Sequence, residues 1–61
     1  MDNKEKITQA AVHVFSREGF HRAHMKAIAQ EAGVAVGTIY NYFKTKDDLL
    51  LYVFEAGIRI R

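Results

Sequence analysis

Cysteine is absent from this 61-residue chain, which removes disulfides and thiolate metal sites as sources of stability. Proline is absent too, so no position carries the residue that most strongly interrupts a helix. No Asn-Gly or Asp-Gly pair joins two alternating segments, and sustained alternation of apolar with polar residues is missing, so strands are not expected. The apolar run Leu49–Phe54 is far too short to span a bilayer. The opening Met-Asp-Asn-Lys-Glu-Lys lacks the apolar stretch of a secretory signal. A soluble cytoplasmic protein without membrane contact is the expectation.

What is left is one small domain near the lower size limit for a single core. It must rely on efficient helix packing or on burial against something outside the chain. Ala, Leu, Ile, Lys and Glu are common, which favours helix throughout. The net charge of +2 says little; its distribution says more. Asp2, Glu5, Asp47 and Asp48 fall in the first turns of expected helices, where they complement the helix dipole. His21, Arg22, His24, Lys26, Lys44 and Lys46 lie between and beside the central helices and make a candidate basic face.

Four helices are predicted. The first runs from about Asn3 to Glu18, opened by an Asp2/Glu5 capping box, with Ile7, Ala10, Ala11, Val14 and Phe15 on one buried stripe. Gly19 should end it in a left-handed conformation, and Phe20 should fold back on the stripe. The second spans Met25–Ala32, with Met25, Ile28, Ala29 and Ala32 at helical spacing and Gly33 as its stop. The third covers Val36–Phe43, with Val36, Ile39, Tyr40 and Phe43 at the same spacing. The fourth starts at Thr45, which forms a second capping box with Asp48. It is expected to continue to the end of the chain, because Gly57 and Ile58-Arg59-Ile60-Arg61 offer no stop. Leu49–Phe54 would be apolar on every side of that helix, more than a four-helix domain can bury alone.

The most informative stretch is Met25–Lys44. A helix-turn-helix needs a small residue at the helix crossing, supplied by Ala29, and a corner tolerant of positive φ, supplied by Gly33. Ile28, Ala32, Val34 and Ile39 sit where apolar contacts would lock the angle. An ordinary helical corner without a nucleic-acid role shares that geometry, so the outer face of the third helix has to decide. With Ile39 and Phe43 inward, helical phase turns Gly37, Thr38 and Asn41 outward. That face carries no carboxylate and suits a major groove about 12 Å wide. Gly37 permits close backbone approach, Thr38 can bond a base or touch a thymine methyl, and Asn41 can reach phosphate or a base edge. Phase leaves Tyr40 and Tyr42 open between core residues with hydroxyls at the rim and phosphate contacts. Lys44 and Lys46, just beyond the helix, are placed to meet the sugar-phosphate backbone.

The run Ala32-Gly33-Val34-Ala35-Val36-Gly37-Thr38-Ile39-Tyr40-Asn41-Tyr42-Phe43-Lys44-Thr45-Lys46-Asp47-Asp48-Leu49-Leu50, with Ile28-Ala29 before it, resembles the TetR family signature. Ala10-Ala11, Val14-Phe15 and Gly19-Phe20 are similar to that family's first helix. The resemblance implies an all-α, homeodomain-like bundle of three helices plus the start of a fourth. Residues 1–46 would form the DNA-binding unit, and 47–61 would lead into a C-terminal domain absent here. It implies a homodimeric transcription factor, usually a repressor, reading a palindromic operator in double-stranded DNA. No cofactor is expected in this chain; a small-molecule inducer belongs to the absent domain. By position, base contacts fall to Val36, Gly37, Thr38 and Tyr40, and phosphate contacts to Tyr40, Asn41, Tyr42 and Lys46. Lys26 matches a position that reaches DNA in some relatives. His24 departs from the usual Thr or Ser, a weaker cap that puts a phosphate contact there in doubt.

Two other classes of function fit less well. As an enzyme, the chain lacks a constellation: Asp47 and Asp48 point apart, Ser16 has no nucleophile-elbow context, and no phosphate loop follows Gly33 or Gly37. His21 and His24 alone make a poor metal site. A protein-docking module would use Leu50, Val53 and Phe54 of the fourth helix, but leaves the acid-free third helix unexplained.

Overall fold

The first helix begins where a carboxylate can accept from an orphan amide. In the computed structural model, which describes residues 2–57, Asp2 Oδ1 accepts from the Glu5 N–H at 2.9 Å and opens α1, Asn3–Glu18. Its stripe is buried as the spacing predicts: Ile7, Ala10, Ala11, Val14 and Phe15 all lie in the core. Thr8 is buried too, satisfied by donating its hydroxyl to the Lys4 carbonyl at 2.6 Å.

Gly19 stops α1, but not in the left-handed helical region expected of it. Its φ of 83° and ψ of 156° lie in a region essentially confined to glycine. This extended exit starts the turn that brings the Phe20 ring back to 5.5 Å from Phe15. A Cβ at position 19 would meet no atom within 4 Å, so Gly19→Ala isolates the backbone term. We expect that change to lower unfolding free energy by about 1–3 kcal/mol, read from urea midpoints at an unchanged slope.

Helix α2, Met25–Ala32, and helix α3, Val36–Tyr42, follow. Helix α4, Lys46–Glu55, is capped by Thr45 Oγ1, which accepts from the Asp48 N–H at 3.1 Å. Among the described residues no strand is present. Helix α1 packs against each of the other three, and every helix places at least one fully buried side chain in the shared core: Ile7 and Val14, Ile28, Ile39, and Leu49 with Val53.

Three expectations are corrected. Helix α3 ends at Tyr42, one residue short of Val36–Phe43. Phe43 adopts extended backbone (φ −135°) so that its ring packs 5.5 Å from Tyr52 while the chain turns into α4. Helix α4 stops at Glu55, with Gly57 at φ 73° just after it, a left-handed stop that the sequence reading did not credit. Residues 58–61, where the helix was expected to continue, lie outside the described residues. Finally, Leu50, Val53 and Phe54 do not share an open face. Val53 is fully buried and Leu50 half-buried, whereas Leu51 and Phe54 stand 57% and 66% exposed.

Candidate nucleic-acid interface

The corner between α2 and α3 is built by backbone hydrogen bonds around Gly33. With φ 75° and ψ 31°, Gly33 is left-handed; its N–H donates to Gln30 O at 3.2 Å, and the Val34 N–H donates to Ala29 O at 3.0 Å. This paired arrangement satisfies the Ala29 and Gln30 carbonyls in the last turn of α2 and turns the chain within three residues. Ala29 is buried at the crossing, and Ala32 and Val34 pack partly buried against the core.

Two side chains then hold the seven-residue α3 in place. Ile39 is fully buried and Phe43 nearly so, which turns the opposite side of the helix to solvent. Gly37 and Asn41 are exposed as phase requires, while Thr38 is only half-exposed. The apolar spacing of Val36, Ile39, Tyr40 and Phe43 overstates the buried face, because Val36 is also exposed. Tyr40 and Tyr42 are 44% and 46% exposed, which resolves the ambiguity left by the sequence: both rings are available at the surface.

The start of α2 lies beside this helix. His24 caps α2 with backbone only and makes no side-chain hydrogen bond to its first amides. One open surface depression brings together His24, Lys26, Val36, Tyr40, Lys44 and Lys46. The depression therefore unites residues from three segments separated in sequence. No carboxylate occurs anywhere from Ala32 to Lys46. Glu31, immediately before that stretch, is paired with Arg17 at 3.1 Å and His13 at 3.2 Å. The hydrogen bond from Arg17 to Glu31 is the main reason the guanidinium pKa lies above its ordinary value.

Lys46 is placed differently from a free surface lysine. Its Nζ donates to the carbonyls of Phe20 at 2.5 Å, Ala23 at 3.0 Å and His21 at 3.4 Å, and lies 4.4 Å from the Phe20 ring centroid. Sequence reasoning missed this contact, although one signal was present. A cation as the first residue of a helix opposes the macrodipole, an arrangement that makes sense when its charge is used elsewhere.

The profile of the family described as "Bacterial regulatory proteins, tetR family" matches residues 7–53. The chain belongs to the TetR family. A fatty acid metabolism regulator protein of Bacillus subtilis is 48% identical over 50 residues, covering 82% of this chain and 26% of that protein. An HTH-type transcriptional regulator of Staphylococcus aureus is 37% identical over 59 residues, covering 97% of this chain and 32% of its own length. In three dimensions, the fatty acid degradation regulator FadR from Bacillus halodurans superimposes with a TM-score of 0.84 at 45% identity, over 87% of this chain and 28% of that one. This TetR-family chain thus spans about a quarter to a third of the relatives it matches, and what it supplies is the helix-turn-helix DNA-binding domain of a transcriptional regulator. The matched relatives are regulators, not enzymes. Among the described residues no helix is long and apolar enough to cross a membrane, and no cluster of three His, Asp or Glu side chains is placed to hold a metal ion.

Proposed function

We propose that this TetR-family domain reads a palindromic operator as part of a homodimeric, ligand-responsive cytoplasmic repressor, laying α3 in the major groove of each half-site. The observation that carries this reading is the exposed, carboxylate-free side of α3, pinned from behind by Ile39 and Phe43 and flanked by Lys26 and Lys44. A rigid, acid-free helix edge can approach the polyanion and present hydrogen-bonding groups to base edges. Val36, Gly37, Thr38 and Tyr40 take the base side of this interface. Tyr40, Asn41, Tyr42 and Lys46 take phosphates, with Lys26 and Lys44 beside them. His24 borders the same surface, where the first amides of α2 lack a side-chain acceptor and favour a nearby phosphate oxygen. The inducer site and the dimer interface belong to the parent beyond this domain. Because two of the relatives are named for fatty-acid metabolism and degradation, operators upstream of fatty-acid genes are the first to try.

Titrating the isotope-labelled chain with duplex DNA should shift the amides of Val36–Tyr42 and of His24–Lys26. A response confined to another surface would overturn the proposal. Thr38→Ala should change base preference at one position of a selected operator by about 1–3 kcal/mol, measured by competition between single-base variants.

A second reading, docking of a protein through α4, is favoured by the exposure of Leu51 and Phe54. Salt separates the two. Duplex binding should weaken steeply as salt rises, and apolar docking should hardly respond.

A further inference from the structure

Of the three histidines in the chain, His13 lies beside a carboxylate, that of Glu31, at 3.2 Å. His24 has different company. It lines two neighbouring surface depressions. Lys26 of α2, Tyr40 of α3, Lys44 and Lys46 share with it the depression on the proposed DNA face. Arg17 and Glu18 of α1, with His21 and Arg22 of the loop, line the second. Glu18 is the single carboxylate among these side chains, and Arg17 already holds it at 3.5 Å. The His24 imidazole is exposed and makes no hydrogen bond to the first amides of α2. Neither of the other histidines lines the depression that contains Val36 and Tyr40.

Resting on the DNA-binding reading above, we infer that the domain takes up a proton at His24 as it docks on the duplex, so that its hold on the phosphate backbone tightens as pH falls. In the free domain that proton would join the charges of Lys26, Lys44, Lys46, Arg17 and Arg22, with Glu18 alone to balance them. A phosphate supplies the missing counter-charge. Neutral imidazole offers one N–H and imidazolium two, and a hydrogen bond between ions is about twice as strong as a neutral one. The proton comes from solvent. Where binding takes up a proton, affinity is flat at high pH and rises as pH falls through the titration of the complex. It levels off below the titration of the free protein. Imidazole ordinarily titrates near pH 6.5, which puts the rise between about pH 6 and about pH 8.

The test is the affinity of the 61-residue chain for a short mixed-sequence duplex, at constant ionic strength from about pH 6 to about pH 8. Affinity should fall about three- to tenfold across that range, as expected for one proton held up to about ten times more tightly in the complex. The slope of log affinity against log salt should be steeper at the acid end by up to about 0.9, the contribution of one added cation. His24→Gln should flatten the pH dependence, whereas His21→Gln and His13→Gln should retain it. The α-amino group also titrates in this range, and comparison with His24→Gln removes its part. The unmodified chain gives a readout that needs no variant. Its His24 ring protons, followed by NMR, should titrate at higher pH with the duplex present than without it. A flat pH profile, a dependence that survives His24→Gln or is lost equally with either other histidine, or a His24 ring that titrates identically free and bound would each overturn the proton linkage while the DNA reading stands. Absence of duplex binding at every pH would remove both.

Discussion

Ile39→Ala should leave the chain largely unfolded at room temperature. Ile39 is the fully buried residue of α3, and truncating such a side chain costs about 2–5 kcal/mol once the residual cavity is included. A single core in a chain of this length rarely supplies more than about 3–5 kcal/mol, so this one side chain accounts for most of the margin. The far-ultraviolet helical signal should fall by more than half, and the cooperative urea transition should vanish. Val36→Ala on the same helix provides the control. Its side chain is exposed, and its removal should move the midpoint by no more than about 0.5 kcal/mol. Equal losses for the two variants would mean that α3 is not anchored in the way described.

Joining two copies should strengthen operator binding more than any single added contact. A lone head with one short reading helix is expected to bind weakly. Two heads on one palindrome convert the second event into an intramolecular one, worth about 10²–10⁴ in affinity when the tether spans the half-sites. The experiment is a tandem chain with a flexible linker, titrated against an operator selected from a random pool. Inserting five base pairs between the half-sites should abolish the gain by rotating one half-site to the far side of the duplex. A gain that survives the insertion would exclude paired major-groove reading.

The parts of this fold that were legible in the sequence are those written in local chemistry. Asp2 and Thr45 announce the starts of α1 and α4 because a side-chain oxygen three residues ahead of a free amide acts within a single turn. Gly19 and Gly33 mark stops because only glycine tolerates their dihedral angles at little cost. The buried stripe of α1 follows from the period of the helix alone. Apart from the dihedral angles of Gly19 and the stop at Gly57, the misreadings are non-local. Phe43 leaves the helix because Tyr52, nine positions later, offers its ring a partner. Tyr40 and Val36 have the spacing of a core stripe, but the core is already closed around Ile39 and Phe43. For Lys46 the relevant acceptors lie in a loop more than twenty positions earlier, and charge patterning along the chain carries no record of them. At the proposed interface, the outward set Gly37 and Asn41 was readable from phase. Its union with Lys26 and Lys44 in one depression required the corner at Gly33 to be folded.

Leu49 and Val53 sit in the same interior as Ile7 and Ile28, so the shared core extends past Lys46 into α4. A hybrid regulator that grafts this reading head onto a foreign sensor should take its splice after Glu55. A joint made at the seemingly natural boundary near position 46 would hand the recipient a hollow module, its missing wall left behind on the donor.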